Sequence, residues 1–139
     1  MIRDFSIYLR SGDVTKVSPD MAEAKGLLTN GIVDFETIKR KFELSESTSS
    51  IIFKDIYDAI RSVLQAFLSK EGYSPYSHEA IIAFNLEKGN ITPVEAVRLD
   101  KFRQLRNDVS YRAARATLSE TKEIQSLTAH LISRLKDKI

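Results

Sequence analysis

Apolar side chains recur at every third or fourth position along most of this chain, and that period restricts its fold more than any other feature. Met21, Ala24, Leu28, Ile32, Phe35, Ile38 and Phe42 form one such run. Ile52, Ile56, Ile60, Val63 and Phe67 form a second, with Phe53 and Leu64 beside them. This spacing lines up side chains on one face of an α-helix, and that face is stable only against another helix or sheet.

Start and stop signals divide the period into segments. Ser18-Pro19 predicts the opening of the first helix, with Gly26 and Gly31 weakening or bending it. The polar patch Ser45 to Ser50 ends it and offers caps for the next. Gly72 stops the second helix, and Tyr73 to Tyr76, containing Pro75, reads as a turn. A third, shorter helix runs from Ser77 to Leu86 and ends at Gly89-Asn90. Thr92, Pro93 and Glu95 compose a capping box for a fourth, which continues through Val94, Val97, Phe102, Leu105, Val109 and Ala113. Thr117 and Glu120 repeat the box before a fifth, whose stripe is Ile124, Leu127, Leu131, Ile132, Leu135 and Ile139. Only Phe5 to Leu9 alternates at the period of a strand. The expected fold is all-α, an antiparallel up-and-down bundle of about five helices joined by short loops. Residues 1–17 are expected to form a leader that packs across the bundle through Phe5 and Leu9, and 18–139 a single helical domain.

Composition narrows the chemistry. The 139 residues suit one domain, and 42% hydrophobic with 29% charged residues is an ordinary globular balance. There is no cysteine, which removes disulfides, thiolate metal sites and cysteine nucleophiles. His78 and His130 are the only histidines and lie in no metal-ligand spacing, so neither a metal nor a cofactor is expected. No apolar run reaches the roughly 18–20 residues of a membrane span, and the first residues lack a signal peptide's apolar stretch. A cytoplasmic location, away from membranes, is the expectation.

The net charge of +2 does not announce a nucleic-acid binder. Between Arg98 and Arg115, however, Arg98, Lys101, Arg103, Arg106, Arg112 and Arg115 face only Asp100 and Asp108. Within this run lies Arg106-Asn107-Asp108-Val109-Ser110-Tyr111. With Leu105, Val109, Ala113 and Ala116 set as the core stripe, a turn of 100° per residue gathers Arg103, Asn107, Ser110, Tyr111 and Ala114 on the other side, with Arg106 at the border. Guanidinium, amide and phenol groups together suit phosphate oxygens, base stacking or a protein interface. A plain solvated helix face is the alternative.

Several stretches resemble the HEPN domains, the prokaryotic and eukaryotic nucleotide-binding helical bundles, especially their small archaeal stand-alone members. They are Asp55 to Ile60, Leu64 to Tyr73, the turn Tyr76-Ser77-His78-Glu79-Ala80, and Leu105 to Tyr111; the likeness spans residues 5 to 137. Active members of that family carry an arginine, a polar residue, a few more residues and a histidine, and two such motifs meet across a dimer to cleave RNA. Arg106 matches the arginine and Asn107 the polar residue, but Tyr111 stands where the histidine would be. A phenol with a reference pKa near 10 is a poor general base at neutral pH. The resemblance therefore implies a homodimeric module that binds nucleotide or RNA, without catalysis. It also implies a possible small nucleotidyltransferase partner. Such partners modify a tyrosine two residues beyond the histidine, where this chain has Ala113. The competing reading is a metal-independent ribonuclease toxin of a toxin–antitoxin pair, using Arg106 with Tyr111 or His78.

The remaining candidates read more simply. His78 is either a displaced base or a residue bonding backbone at a helix start. His130 reads as packed or partly exposed. Asp55 and Asp58, three apart on one helix face, could hold magnesium but better complete a charge network with Arg106. Phe35, Phe42, Phe53, Phe67, Phe84 and Phe102 read as core, whereas Tyr73 and Tyr76 are free to meet a partner.

Overall fold

The computed structural model describes residues 1–139. It consists of helices α1 (Phe5–Ser11), α2 (Met21–Lys41), α3 (Ser49–Glu71), α4 (His78–Glu87), α5 (Pro93–Tyr111) and α6 (Leu118–Leu135), with short strands β1 (Val14–Lys16) and β2 (Tyr73–Pro75). The all-α expectation holds, with one more helix than foreseen and a small antiparallel ribbon in which Thr15 faces Ser74.

α3 is the axis of the bundle, packing against α2, α4, α5 and α6. Phe53, Ile56, Ile60, Val63, Leu64 and Leu68 are all buried along it. Most of its circumference can be apolar because its neighbours cover it on several sides, and Lys54, Asp55, Asp58, Arg61 and Gln65 share the remaining, half-buried polar side. α2 comes closest. A methyl placed on Gly31 would lie 2.6 Å from Val63 Cγ2 and 2.7 Å from the Ala59 carbonyl oxygen, so glycine here permits the approach.

The two capping boxes form as the sequence predicts, whereas Thr48 opens α3 without a side-chain cap bond from the polar patch before it. Thr92 Oγ1 accepts from Glu95 N at 3.2 Å while Glu95 Oε1 accepts from Thr92 N at 2.8 Å. Thr117 and Glu120 make the same reciprocal pair. Gly72 takes φ 87° after α3, a conformation costly for any residue with a Cβ. α2 departs from expectation: Asp20, not Ser18, caps it, with its carboxylate accepting from Glu23 N at 2.9 Å.

The leader is structured. Phe5 is buried as expected, but its partner is Tyr8, not the exposed Leu9, because the segment is helical rather than a strand. Phe5 packs edge-on to Tyr73 and Phe84, each with a centroid separation of 5.2 Å. Tyr73 therefore belongs to this aromatic cluster, whereas Tyr76 remains exposed. Phe42 is also exposed, since α2 ends at Lys41 and the residue falls just beyond the packed face.

The connection from α5 to α6 is clamped from α3. The Ala116 amide donates to Ser50 Oγ at 2.8 Å, and Ser49 Oγ donates to the Ala116 carbonyl at 2.8 Å. Thr121 Oγ1 then donates to the Ser49 carbonyl at 3.0 Å. Consecutive serines thus satisfy both polar groups of a buried backbone unit that no helix or sheet could serve.

Candidate functional site

α5 determines the site. Its buried residues are Glu95, Ala96, Leu99, Asp100 and Phe102. Val94 and Val97, expected in the core stripe, are 69% and 70% exposed, and Tyr111 is 78% exposed. The helix is rotated from its expected phase because two carboxylates take inward positions. Glu95 meets Arg134 of α6 at 2.6 Å, and Asp100 meets Arg103 at 2.8 Å. Ion pairing makes such burial tolerable. The outward stripe is Val94, Val97, Lys101, Gln104 and Tyr111. Leu105 and Val109 still pack partly against the core. Ala113 and Ala114 lie beyond the helix, which ends at Tyr111; Ala113 has φ 58°.

The predicted site residues therefore separate. Arg103 turns to α4, where Glu79 lies 3.6 Å from it, in addition to its pair with Asp100. Arg106 turns inward to Asp58 of α3, at 3.3 Å. Asp55 makes no ion pair with Arg106. It faces a cleft of about 520 Å³ between α2 and α3, shared with Asp34 and Asp58. Burial, then the negative charges of Asp58 and Asp34, push the Asp55 carboxyl up from its ordinary pKa. No group of acidic or histidine side chains here could hold a metal ion. Asn107 and Ser110 are half-buried, Tyr111 is open to solvent, and the Ser110 hydroxyl is shielded without a partner.

The sequence singled out neither Tyr57 nor Arg61, yet both stand where α3, α4 and α5 meet. The Tyr57 phenol lies 3.4 Å from His78 Nδ1, and their rings are 5.9 Å apart. His78, at the first position of α4, thus faces a side chain across the junction, not the nearby backbone. Burial, then the positive charges of Arg61, Arg106 and Arg103, lower its pKa to about 4, against the opposing pull of Asp58. At neutral pH the imidazole is uncharged. Burial likewise raises the Tyr57 pKa, with the same arginines opposing, so the phenol keeps its proton. Burial disfavours the Arg106 charge, but Asp58 and the Tyr111 phenol outweigh it and hold the guanidinium protonated. α3's helical spacing could have pointed to Arg61, which sits three residues after Asp58; only the tertiary fold brings His78 to it. His130 is exposed on α6, away from this junction.

No protein-family model, curated protein or solved structure matches the chain.

Proposed function

We propose that the protein is a HEPN-like helical binding module. It self-associates through α5 and binds a nucleotide or RNA, or a nucleotidyltransferase partner, beside the Arg103–Arg106–Asn107–Tyr111 segment. The observation that carries this reading is the outward stripe of α5, where Val94, Val97 and Tyr111 are exposed on a helix otherwise packed into the bundle. Tyrosine and exposed aliphatic side chains flanked by arginines suit an interface. Each helix end beyond Tyr111 also carries Arg112 and Arg115, which add to the basic character of that end.

Binding rather than cleavage is favoured by the titratable groups. Tyr111 replaces the histidine of the family's motif. His78, with a pKa near 4, holds no proton to give at neutral pH and is a weak acceptor. Sedimentation of the wild type against Val97→Glu and Tyr111→Ala tests the dimer: a dimer converted to monomer by Val97→Glu supports it, and a wild-type monomer at tens of micromolar removes it. Fluorescence anisotropy with single-stranded RNA tests the ligand, with loss expected in Tyr111→Ala. The toxin reading rests on the proximity of His78 to the arginines. It prevails if purified protein cuts RNA and Arg106→Ala abolishes the cutting.

A further inference from the structure

The uncovered side of α5 carries a second period, distinct from the one that packs the bundle. Val94, Val97, Lys101, Gln104, Asp108 and Tyr111 follow one another at intervals of three, four, three, four and three residues. That alternation is the seam of a two-stranded coiled coil, because it keeps one stripe of a helix against a partner helix. All six reach solvent: Val94, Val97, Lys101, Gln104 and Tyr111 are exposed, and the Asp108 side chain is half exposed. Leu99 and Phe102 point the opposite way, into the core.

The seam is complementary to itself in one direction only. Two copies of α5 set antiparallel across a twofold axis, centred between Lys101 and Gln104, bring Val94 to Tyr111 of the second copy, Val97 to Asp108, and Lys101 to Gln104. The next residue of the seam beyond that Gln104 is Asp108, so each Lys101 also gains an opposite charge diagonally across the pair. A parallel pair would instead set Lys101 against Lys101 and Asp108 against Asp108, and like charges facing each other oppose association. The competing partner of Asp108 within the chain is Arg112, 3.7 Å away in an exposed pair that holds it weakly.

The ends of the seam fit as well. An apolar groove of about 320 Å³, lined by Ile2, Leu86, Pro93, Ala96 and Val97, opens at the Val94–Val97 end. In the antiparallel arrangement Tyr111 of the second copy arrives there. Its ring is an apolar body with a polar tip, which suits a groove that opens to water.

We propose that a second copy of this chain covers α5 as an antiparallel helix pair, with Tyr111 of each subunit seated against Val94 and the apolar groove of the other. This gives the self-association in the proposed function its arrangement. It rests on that reading for the existence of the dimer, not for its ligand.

Charge exchange on the intact chain tests the direction. Lys101→Glu and Asp108→Lys, each alone, set like charges together in the antiparallel pair and are expected to weaken the dimer about tenfold in sedimentation, whereas the double variant should return to within about threefold of the wild type. A parallel pair keeps like against like at both positions and shows no such rescue. A double variant no tighter than the single ones overturns the proposal.

Thiol trapping gives a second, independent measurement. The chain has no cysteine, so introduced thiols are its only ones. Val94 and Tyr111 stand about 25 Å apart along the helix at roughly 1.5 Å per residue. Oxidising a mixture of Val94→Cys and Tyr111→Cys proteins is expected to give the mixed disulfide, and Val94→Cys alone to give none. A disulfide between two Val94→Cys chains overturns this arrangement and spares the self-association. A wild-type monomer at roughly tens of micromolar removes both and leaves the face to a different protein. An antiparallel dimer that binds neither nucleotide nor RNA supports this inference and strips the ligand from the proposed function.

Discussion

The Tyr57 hydroxyl stands 3.4 Å from His78 Nδ1, so the fold holds a neutral imidazole against a protonated phenol amid arginines. The His78 pKa falls from 6.5 to about 4 on folding. The unfolded chain then binds more protons than the native one between those values. Stability is fully present above pH 6.5 and declines as pH falls toward 4. Urea titrations of wild type and His78→Gln across this window should show a steeper loss for the wild type. Parallel curves would mean that the histidine titrates freely. Comparing the two removes the Glu95 and Asp55 contributions, because Arg134 holds Glu95 below its ordinary value and burial holds Asp55 above it in both proteins.

Gly31 and Gly26 lie on the same helix and should respond oppositely to alanine. At Gly31 the added methyl meets Val63 and the Ala59 backbone, and Gly31→Ala should cost about 1–3 kcal/mol. At Gly26 nothing lies within 4 Å, and Gly26→Ala should stabilise by about 0.5–1 kcal/mol through helix propensity. Chemical denaturation midpoints give both signs.

Asn85 is fully buried, and its amide nitrogen donates to the Leu64 carbonyl at 3.0 Å and the Ile81 carbonyl at 2.9 Å. Its Oδ1 accepts from Asn90 Nδ2 at 3.0 Å, which ties the α4–α5 turn to α3. Asn85→Leu removes the extra donor to the Leu64 carbonyl and leaves the Asn90 amide without its acceptor, freeing that turn, and should cost on the order of 2 kcal/mol in thermal or chemical unfolding. Asn90→Ala, which touches only the outer bond, should cost less than half as much.

Removing Arg134 leaves the largely buried Glu95 carboxylate without its bidentate partner, since Arg134 bonds both of its oxygens, at 2.6 and 3.1 Å. Arg134→Met should destabilise by about 3 kcal/mol at neutral pH. The loss should shrink in acid as Glu95 becomes protonated. A pH-independent difference would assign the effect to packing alone.

Much of the bundle was readable in the sequence, because periods and caps act locally. The boxes at Thr92–Glu95 and Thr117–Glu120 and the glycine stop at Gly72 each involve residues within one turn of each other. The phase of α5 was not readable. Val94 and Val97 look like core by composition, and Glu95 and Asp100 do not. What reverses them are Arg134, distant in sequence, and an arginine on the same helix. The candidate site behaved similarly. Arg106 and Tyr111 were visible as a motif, but it was not visible that Arg106 would turn inward to Asp58 while Tyr111 stays open to solvent. Arg61, Tyr57 and His78 share no spacing, and only packing of three helices brings them together.

The serine pair that grips Ala116 has a mechanical consequence. It pins the strand of chain leaving Tyr111 to the first turn of α3, so the end of α5 has only a few residues of slack. A molecule pulling on Tyr111 would find this tether taut, and the tug would arrive at the root of the longest helix before it reached α6.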